Sequence, residues 1–385
     1  MRFRRDAPVA IIGTLVLVIA ALTWASNAMF ASQMAEVEAT QFKQMRAILD
    51  TSLRAAEDRA LARAELVANL PTVRAAFAAG DREKLLAECS EMFAIQRDKH
   101  GVDQAQFATL AGISFLRLNA PSKFGEDLSS FRPVIVAVNR DQVARKGLAL
   151  GRSGPALMGV VPVFDLERKP LGIFEMGMDF APILDKLKAS YTFDASFFVR
   201  ERQLREIATN VSPEVLDEHN RVGEFLKFSS TNTTLIKTLV DGSDLARVNG
   251  DPVQYTRVVS RVTYGVILVA LRNAAGESLG IIATVSDFST TRAAAGRALV
   301  LQLAQGLLAL VLLSGVVLVV IRGFLLRPLA ALNQGFEHLG TGNTDSASVP
   351  SETLCEELAA LAQHYQRLSS HDRAGTNTMA GKDSK

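Results

Sequence analysis

Apolar and polar positions alternate unevenly along this chain. Two stretches without a charged residue, Pro8–Trp24 and Leu299–Ile321, bracket a long mixed middle. Crossing a bilayer core of ~30 Å takes about 20 apolar residues in a helix. The second stretch meets this, and the first does so by running to Ala31 across the uncharged Ser26 and Asn27, which predicts spans over 8–31 and 299–321. Arg2, Arg4 and Arg5 precede the first span, while Arg322 and Arg327 follow the second. Basic flanks stay in the cytoplasm, so both termini are expected inside and the middle outside. The rival reading of the N-terminus is a cleaved signal peptide, with a small-residue site near Ala25–Ala28. An uncleaved anchor is favoured because a helical pattern continues straight out of the apolar run.

That pattern, Gln33–Ala68, contains no Pro or Gly and spaces Met34, Val37, Phe42, Met45, Ile48 and Leu53 by three to five, as in an amphipathic helix. It breaks at Pro71, and Glu83–Gln96 reads as a second helix. Short apolar runs bounded by Gly, Pro or Asn then predict strands at Gln106–Leu110, Ser114–Leu118, Leu157–Phe164 and Leu171–Phe180, with a helix at Ser130–Arg140 among them. The order recurs: a strand at Ala195–Arg200, a helix around Ser212–His219, and strands at Tyr255–Thr263, Val266–Arg272 and Ser278–Asp287. Val161–Phe174 and Val269–Ile282 match as strand, polar turn, Leu-Gly and strand, and Asp179-Phe180 and Asp287-Phe288 close both copies. Two similar modules stacked along a long helix follow from this repeat.

Composition changes the picture little. Hydrophobic residues make up 48% and charged residues 21%, which suits a membrane protein with a folded soluble part. A net charge of +2, with no basic run interleaved with aromatics, gives no nucleic-acid partner. The predicted topology separates Cys89 outside from Cys355 inside, so the outer part is expected to hold by packing without a disulfide. The histidines, at 100, 219, 338, 364 and 371, are scattered, and no HExxH, GxSxG or P-loop is present. No catalytic set, metal site or cofactor is expected. Asp244 and Asp251 fall in a polar loop with no partner pattern. Ser370-His371-Asp372-Arg373 resembles the opening of a kinase phosphoacceptor box but lacks the Thr-Pro that normally follows.

Long helix, strand, helix, and a hairpin with Leu-Gly and a closing Asp-Phe, repeated between two spans, resemble the double Cache sensors of bacterial receptors. Phe115–Pro133, Gly147–Gly154 and Gly159–Val163 are similar to a block of one double Cache subfamily. The resemblance covers roughly 35–290 and implies an α+β fold: PAS-like modules with antiparallel sheets and a ligand cavity on one face. Beyond the second span, Arg327-Pro328-Leu329 and Glu356–Leu361 resemble the "RPL" and "DExxxL" openings of a HAMP linker, with Glu356 in place of the usual Asp. HAMP helices pair as a parallel four-helix bundle of two chains, which implies a homodimer with Pro328, Leu332, Glu357 and Leu361 in signal transmission.

The layout expected is a cytoplasmic N-terminus over 1–7, a span over 8–31, a long helix with the membrane-distal module over 32–190, and the membrane-proximal module over 191–298. A second span over 299–321, a HAMP linker over 322–370 and a disordered tail over 371–385 complete it. Arg117, Arg132, Arg140 and Arg152 fall where a Cache cavity is walled, and guanidinium captures carboxylate in two-point contacts. A small organic anion, such as a carboxylate, is therefore the expected ligand, with Phe115, Met158, Phe174, Met176 and Met178 as apolar walls. Alternatively the arginines pair with Glu126, Asp127 or Asp141, and the apolar residues are plain core. Asp179 either meets a ligand ammonium or caps the outgoing helix.

The function expected is a sensor in the bacterial inner membrane, facing the periplasm or extracellular space, not an enzyme. No transmitter follows the linker, so output is expected in trans through a cytoplasmic kinase or receptor. The alternative is an accessory, scaffolding or truncated receptor acting through mixed dimers.

Overall fold

The computed structural model describes residues 3–322 together with Arg327, Ala330 and Arg367; Pro328, Leu332, Glu357 and Leu361 lie outside the described residues. The chain divides into two compact units, one of Ala35–Ala293 and one of the segments up to Met34 and from Ala294. In the latter, apolar parts of two helices, α1 (Phe3–Ala68) and α9 (Ser289–Val320), are long and apolar enough to cross a membrane. Gln302 Nε2 on one donates to Ser26 Oγ on the other.

Within the larger unit, α1 buries Phe42, Met45, Leu49, Leu53, Ala56, Ala60, Ala64 and Val67. Steps of three and four keep these on one face, and the change from large residues to alanine lets the helix settle closely on a sheet. Pro71 opens α2 (Pro71–Ala78), where a missing N–H costs nothing. Helix α3 (Arg82–His100) is capped by Asp81, whose side chain accepts from Lys84 N at 3.0 Å, and ends at Gly101 with φ 69°. Cys89 is buried in α3, and burial, aided by the charge of Glu88, pushes its thiol up to about 12.

The first module comprises β1 (Val102–Thr109), β2 (Ser114–Arg117), α4 (Pro133–Asp141), β3 (Arg145–Gly151), β4 (Gly154–Phe164) and β5 (Pro170–Met178). Its sheet is antiparallel in the order β2-β1-β5-β4-β3. Helix α5 (Phe180–Tyr191) leads to the second module: β6 (Asp194–Arg200), α6 (Glu201–Ile207), β7 (Arg221–Val222), β8 (Phe225–Ser230), α7 (Thr233–Leu239), α8 (Gly242–Ala246), β9 (Val253–Val259), β10 (Val262–Arg272) and β11 (Ser278–Asp287). Its order, β7-β8-β6-β11-β10-β9, repeats the first topology with one strand added at the edge. This is the mixed helix and antiparallel-sheet architecture expected.

The repeat's shared residues have a steric cause. A Cβ on Gly172 would lie 2.1 Å from the Ala108 carbonyl oxygen, and one on Gly280 would lie 2.3 Å from that of Phe198. In each Leu-Gly, the glycine lets the returning strand press against its neighbour. In each Asp-Phe, the aspartate accepts a backbone N–H just beyond, from Ala181 at 3.3 Å and from Ser289 at 2.7 Å. Phe180 stacks on Phe197 at 4.1 Å, and Phe288 packs on Phe42 of α1 at 5.1 Å.

Two expected elements differ. The helix around Ser212–His219 is two short 3-10 turns, Pro213–Leu216 and Glu218–Asn220. The strand expected over Tyr255–Thr263 is broken by a tight hairpin turn at Ser260 and Arg261, both at positive φ (51° and 67°).

Candidate functional site

On the face of the first sheet covered by α4, Gln106 of β1 stands opposite Arg117 of β2 on one side and Glu175 of β5 on the other. Polar residues thus line up across three strands, and period-two alternation puts Ala105, Phe107 and Met176 on the face toward α1. Arg132 reaches the row from the entry to α4, where Pro133 fixes the first turn. Its terminal nitrogens donate to Glu175 Oε1 at 3.0 Å and Oε2 at 2.5 Å, with side-chain exposures of 4% and 2%. Gln106 Nε2 donates to Glu175 Oε1 at 2.7 Å, and Arg117 Nε donates to Gln106 Oε1 at 3.0 Å. A chain of hydrogen bonds therefore links both arginines through one buried carboxylate.

Arg152, after β3, completes the cluster. Glu126 bridges it to Arg117, accepting from Arg152 Nε at 2.7 Å and from Arg117 at 2.5 Å. Burial works to raise the Glu126 carboxyl, but the hydrogen bonds and charges of Arg152 and Arg117 prevail and hold it below the usual range. Arg152 also donates to the Ile207 carbonyl of the second module at 2.9 Å and covers the Phe131 ring at 4.3 Å. A small cavity of about 20 Å³ is lined by Arg117, Arg132, Arg152, Glu175, Gln104 and Gln106, with Asn119 and Ser153 among the remainder.

The structure brings Arg117, Arg132 and Arg152 together and leaves Arg140 exposed on the last turn of α4. Phe115 and Phe174 line neither of the cavities described for this module. The register of β1 with β2 slips at Phe107/Ala108, and such a bulge re-aims a side chain. The ring of Phe115 meets Phe77 at 5.1 Å, and Phe174 meets Phe107 at 4.4 Å. Met176 is buried on this same core face, while Met178 accepts from Arg63 at Sδ, 3.3 Å away. Met158 borders a separate cavity. Asp179 caps α5.

Glu175, Gln104 and Gln106 were outside the sequence expectation. The signal for Glu175 was a lone carboxylate in the apolar run Ile173–Met178. Asp244 corrects another expectation: it has partners. It is buried, and its Oδ2 accepts from Tyr255 Oη at 3.0 Å and Arg257 at 3.1 Å, while its side chain completes a capping box with Asp241. Burial, then the charge of Asp244, pushes the Tyr255 hydroxyl up. Among the described residues, no three His, Cys, Asp or Glu side chains are grouped to hold a metal ion.

Asp103 of β1 is half-buried with its Oδ1 buried and unpartnered, and burial, aided by the charge of Asp179, raises its pKa from 3.8 to about 7. Asp179 is raised too, first by burial. The folded chain then keeps a proton that the unfolded chain releases near 3.8, so this group's contribution falls as pH rises between those values and levels off above about 7. Asp103→Asn is expected to be more stable than the parent at pH 8 and to shrink the difference between pH 5 and pH 8 in urea unfolding. A difference as large as the parent's would assign the pH dependence elsewhere.

Paired sheets of one topology along a shared helix, with a charged cavity in the first, define a tandem sensory module. The chain belongs to the double Cache family dCache_3, described as the double sensory domain of two-component sensor kinases, which matches residues 38–290. No curated protein matches the chain significantly. Among solved structures, it is similar to a domain assigned to the sensory box/GGDEF family from Vibrio parahaemolyticus, at 14% identity and a TM-score of 0.40, covering 66% of this chain and 97% of that one. It is also similar to the sensor domain of the V. cholerae histidine kinase DctB (11%, TM-score 0.37, 64% and 96%). A third is the ligand-binding domain of the Campylobacter jejuni chemoreceptor Tlp3 in complex with 4-methylisoleucine (12%, 0.36, 65% and 92%). The family assignment rests on the sequence match and not on these likenesses.

Proposed function

We propose that the chain is a membrane-bound extracytoplasmic sensor whose first module binds a small organic anion, a carboxylate by preference. The observation that carries this is the cavity's charge: Arg117, Arg132 and Arg152 face only Glu126 and Glu175, leaving one positive charge in excess. Arg132 is committed to Glu175 by two bonds, whereas Arg117 and Arg152 share Glu126. An incoming carboxylate competes with Glu126 for that pair. Because Arg152 also holds the Ile207 carbonyl, freeing it from Glu126 loosens or shifts a tie to the second module. A ligand acts only through its different affinity for the two arrangements.

A panel of mono- and dicarboxylates, screened by thermal shift, is expected to raise the melting temperature. Arg117→Ala should abolish the shift, since losing a charge-assisted contact in a buried site costs about 2–5 kcal/mol. A full shift retained by a folded Arg117→Ala would make the arginine structural. In the same reading, the spans at 8–31 and 299–321 place both termini in the cytoplasm, and the HAMP-like segment passes the change to a second copy of the chain. A cysteine replacing Leu332 in a Cys355→Ser background should then cross-link between chains in membranes, and its failure to do so would remove the dimeric linker.

A further inference from the structure

Between the two modules lies a second cavity of about 90 Å³. One wall is the entry to α4, β3 and Met158 of the first module. The other is Gln203 and Ile207 of α6 and the β10–β11 turn, Asn273–Glu277. A β-bridge between Leu148 and Asn273 joins the walls. The lining is largely aliphatic, with Leu148, Leu150, Met158, Val160, Ile207 and Leu279. Close-packed interiors hold few voids larger than a water molecule, and small-molecule pockets concentrate where domains meet. Beside Gly147, a Cβ would meet nothing within 4 Å.

Two polar atoms on this lining are buried without a partner, Arg132 Nε and Gln203 Oε1. Each terminal nitrogen of Arg132 has a partner in Glu175, so Nε is the nitrogen of its guanidinium left without one. Unmet buried groups of this kind are costly. The charged lining residues are otherwise occupied: Lys146 pairs with Asp58, and Glu277 accepts from Asn273. An aliphatic wall with one spare donor and one spare acceptor suits a neutral guest, not an ion.

We propose that this seam is a second ligand site, for a neutral amphipathic molecule. Its hydrocarbon body fills the aliphatic wall, and its hydroxyl groups accept from Arg132 Nε and donate to Gln203 Oε1. Arg132 borders both cavities, so the guests of the two share one guanidinium. The seam guest touches both modules and favours whichever of their arrangements holds it better.

The test is a fluorine NMR titration of the full chain in detergent with 1-(4-fluorophenyl)-1,2-ethanediol, an apolar ring carrying two hydroxyls. Saturable binding is expected in the wild type. Ala149→Trp, which fills the cavity from β3, should abolish it, and Gln203→Leu should weaken it about two- to tenfold. Arg117→Ala, at a residue that lines the arginine cavity and not the seam and that leaves the Arg132–Glu175 pair in place, should leave the affinity unchanged while losing the carboxylate thermal shift, so the two proposals can fail separately. Absence of saturable binding in the wild type overturns the proposal, as does wild-type affinity in a cooperatively melting Ala149→Trp. If that variant does not fold, an unchanged affinity in Gln203→Leu overturns it.

Discussion

Replacing Arg132 with alanine is expected to destabilise the sensory unit by about 3–5 kcal/mol, the cost of leaving a buried charge without its partner. The side chains of Arg132 and Glu175 are 4% and 2% exposed, so solvent screening gives little relief. Truncation strands the Glu175 carboxylate with Gln106 as its remaining donor. A loss of that size is a large fraction of the ~5–15 kcal/mol that holds a typical domain together. The double variant Arg132→Met with Glu175→Gln should recover most of it. It buries no charge, and the new amide can still accept from Gln106. Urea unfolding of parent, single and double variants measures this. A loss below about 1 kcal/mol in the single variant would mean that water reaches the pair.

That pair also shows what sequence can reveal about a site of this kind. Arg117 and Arg132 stand out because each falls beside apolar residues, and Arg152 because it lies in a block resembling a known sensor. Their convergence depends on three strands and a loop, which no spacing rule supplies. Glu175 is visible as a charge in an apolar strand, but its partner lies at the entry to α4, remote in sequence. Phe174 shows the opposite difficulty. It adjoins Glu175, and one residue along a strand is the other face of the sheet. Phe115 depends on a register slip with no sequence signature.

Elements follow the same logic. The long helix was legible from the absence of Gly and Pro, and the hairpins from their Leu-Gly and turn residues. Strand β3 was not, because Arg145, Lys146, Gly147 and Gly151 dilute its apolar alternation. The alanine seam of α1 was equally hidden. Alanine is neutral in a hydrophobic pattern, yet Ala56, Ala60 and Ala64 are fully buried.

Gly159→Ala is expected to cost about 3 kcal/mol or more, at or beyond the upper end of ordinary overpacking, because of that seam. A Cβ at Gly159 would lie 2.3 Å from both Leu61 Cα and Leu61 N. These are backbone atoms of α1, so no rotamer change relieves the clash, and the helix must lift off the sheet along its alanine stripe. Two comparisons isolate the cause. Gly177→Ala meets Met158 Sδ at 2.4 Å, but a methionine side chain can swing aside, so a smaller loss is expected. Gly80→Ala meets nothing within 4 Å and carries only the strain of φ +67°, about 1–2 kcal/mol. Trimming the neighbour offers a sharper check, since Leu61→Ala removes side chain and leaves the colliding atoms in place. The double variant Gly159→Ala with Leu61→Ala should therefore be no more stable than Gly159→Ala alone. Recovery of stability in it would mean that the helix and sheet are held apart by the leucine side chain and do not meet backbone to backbone.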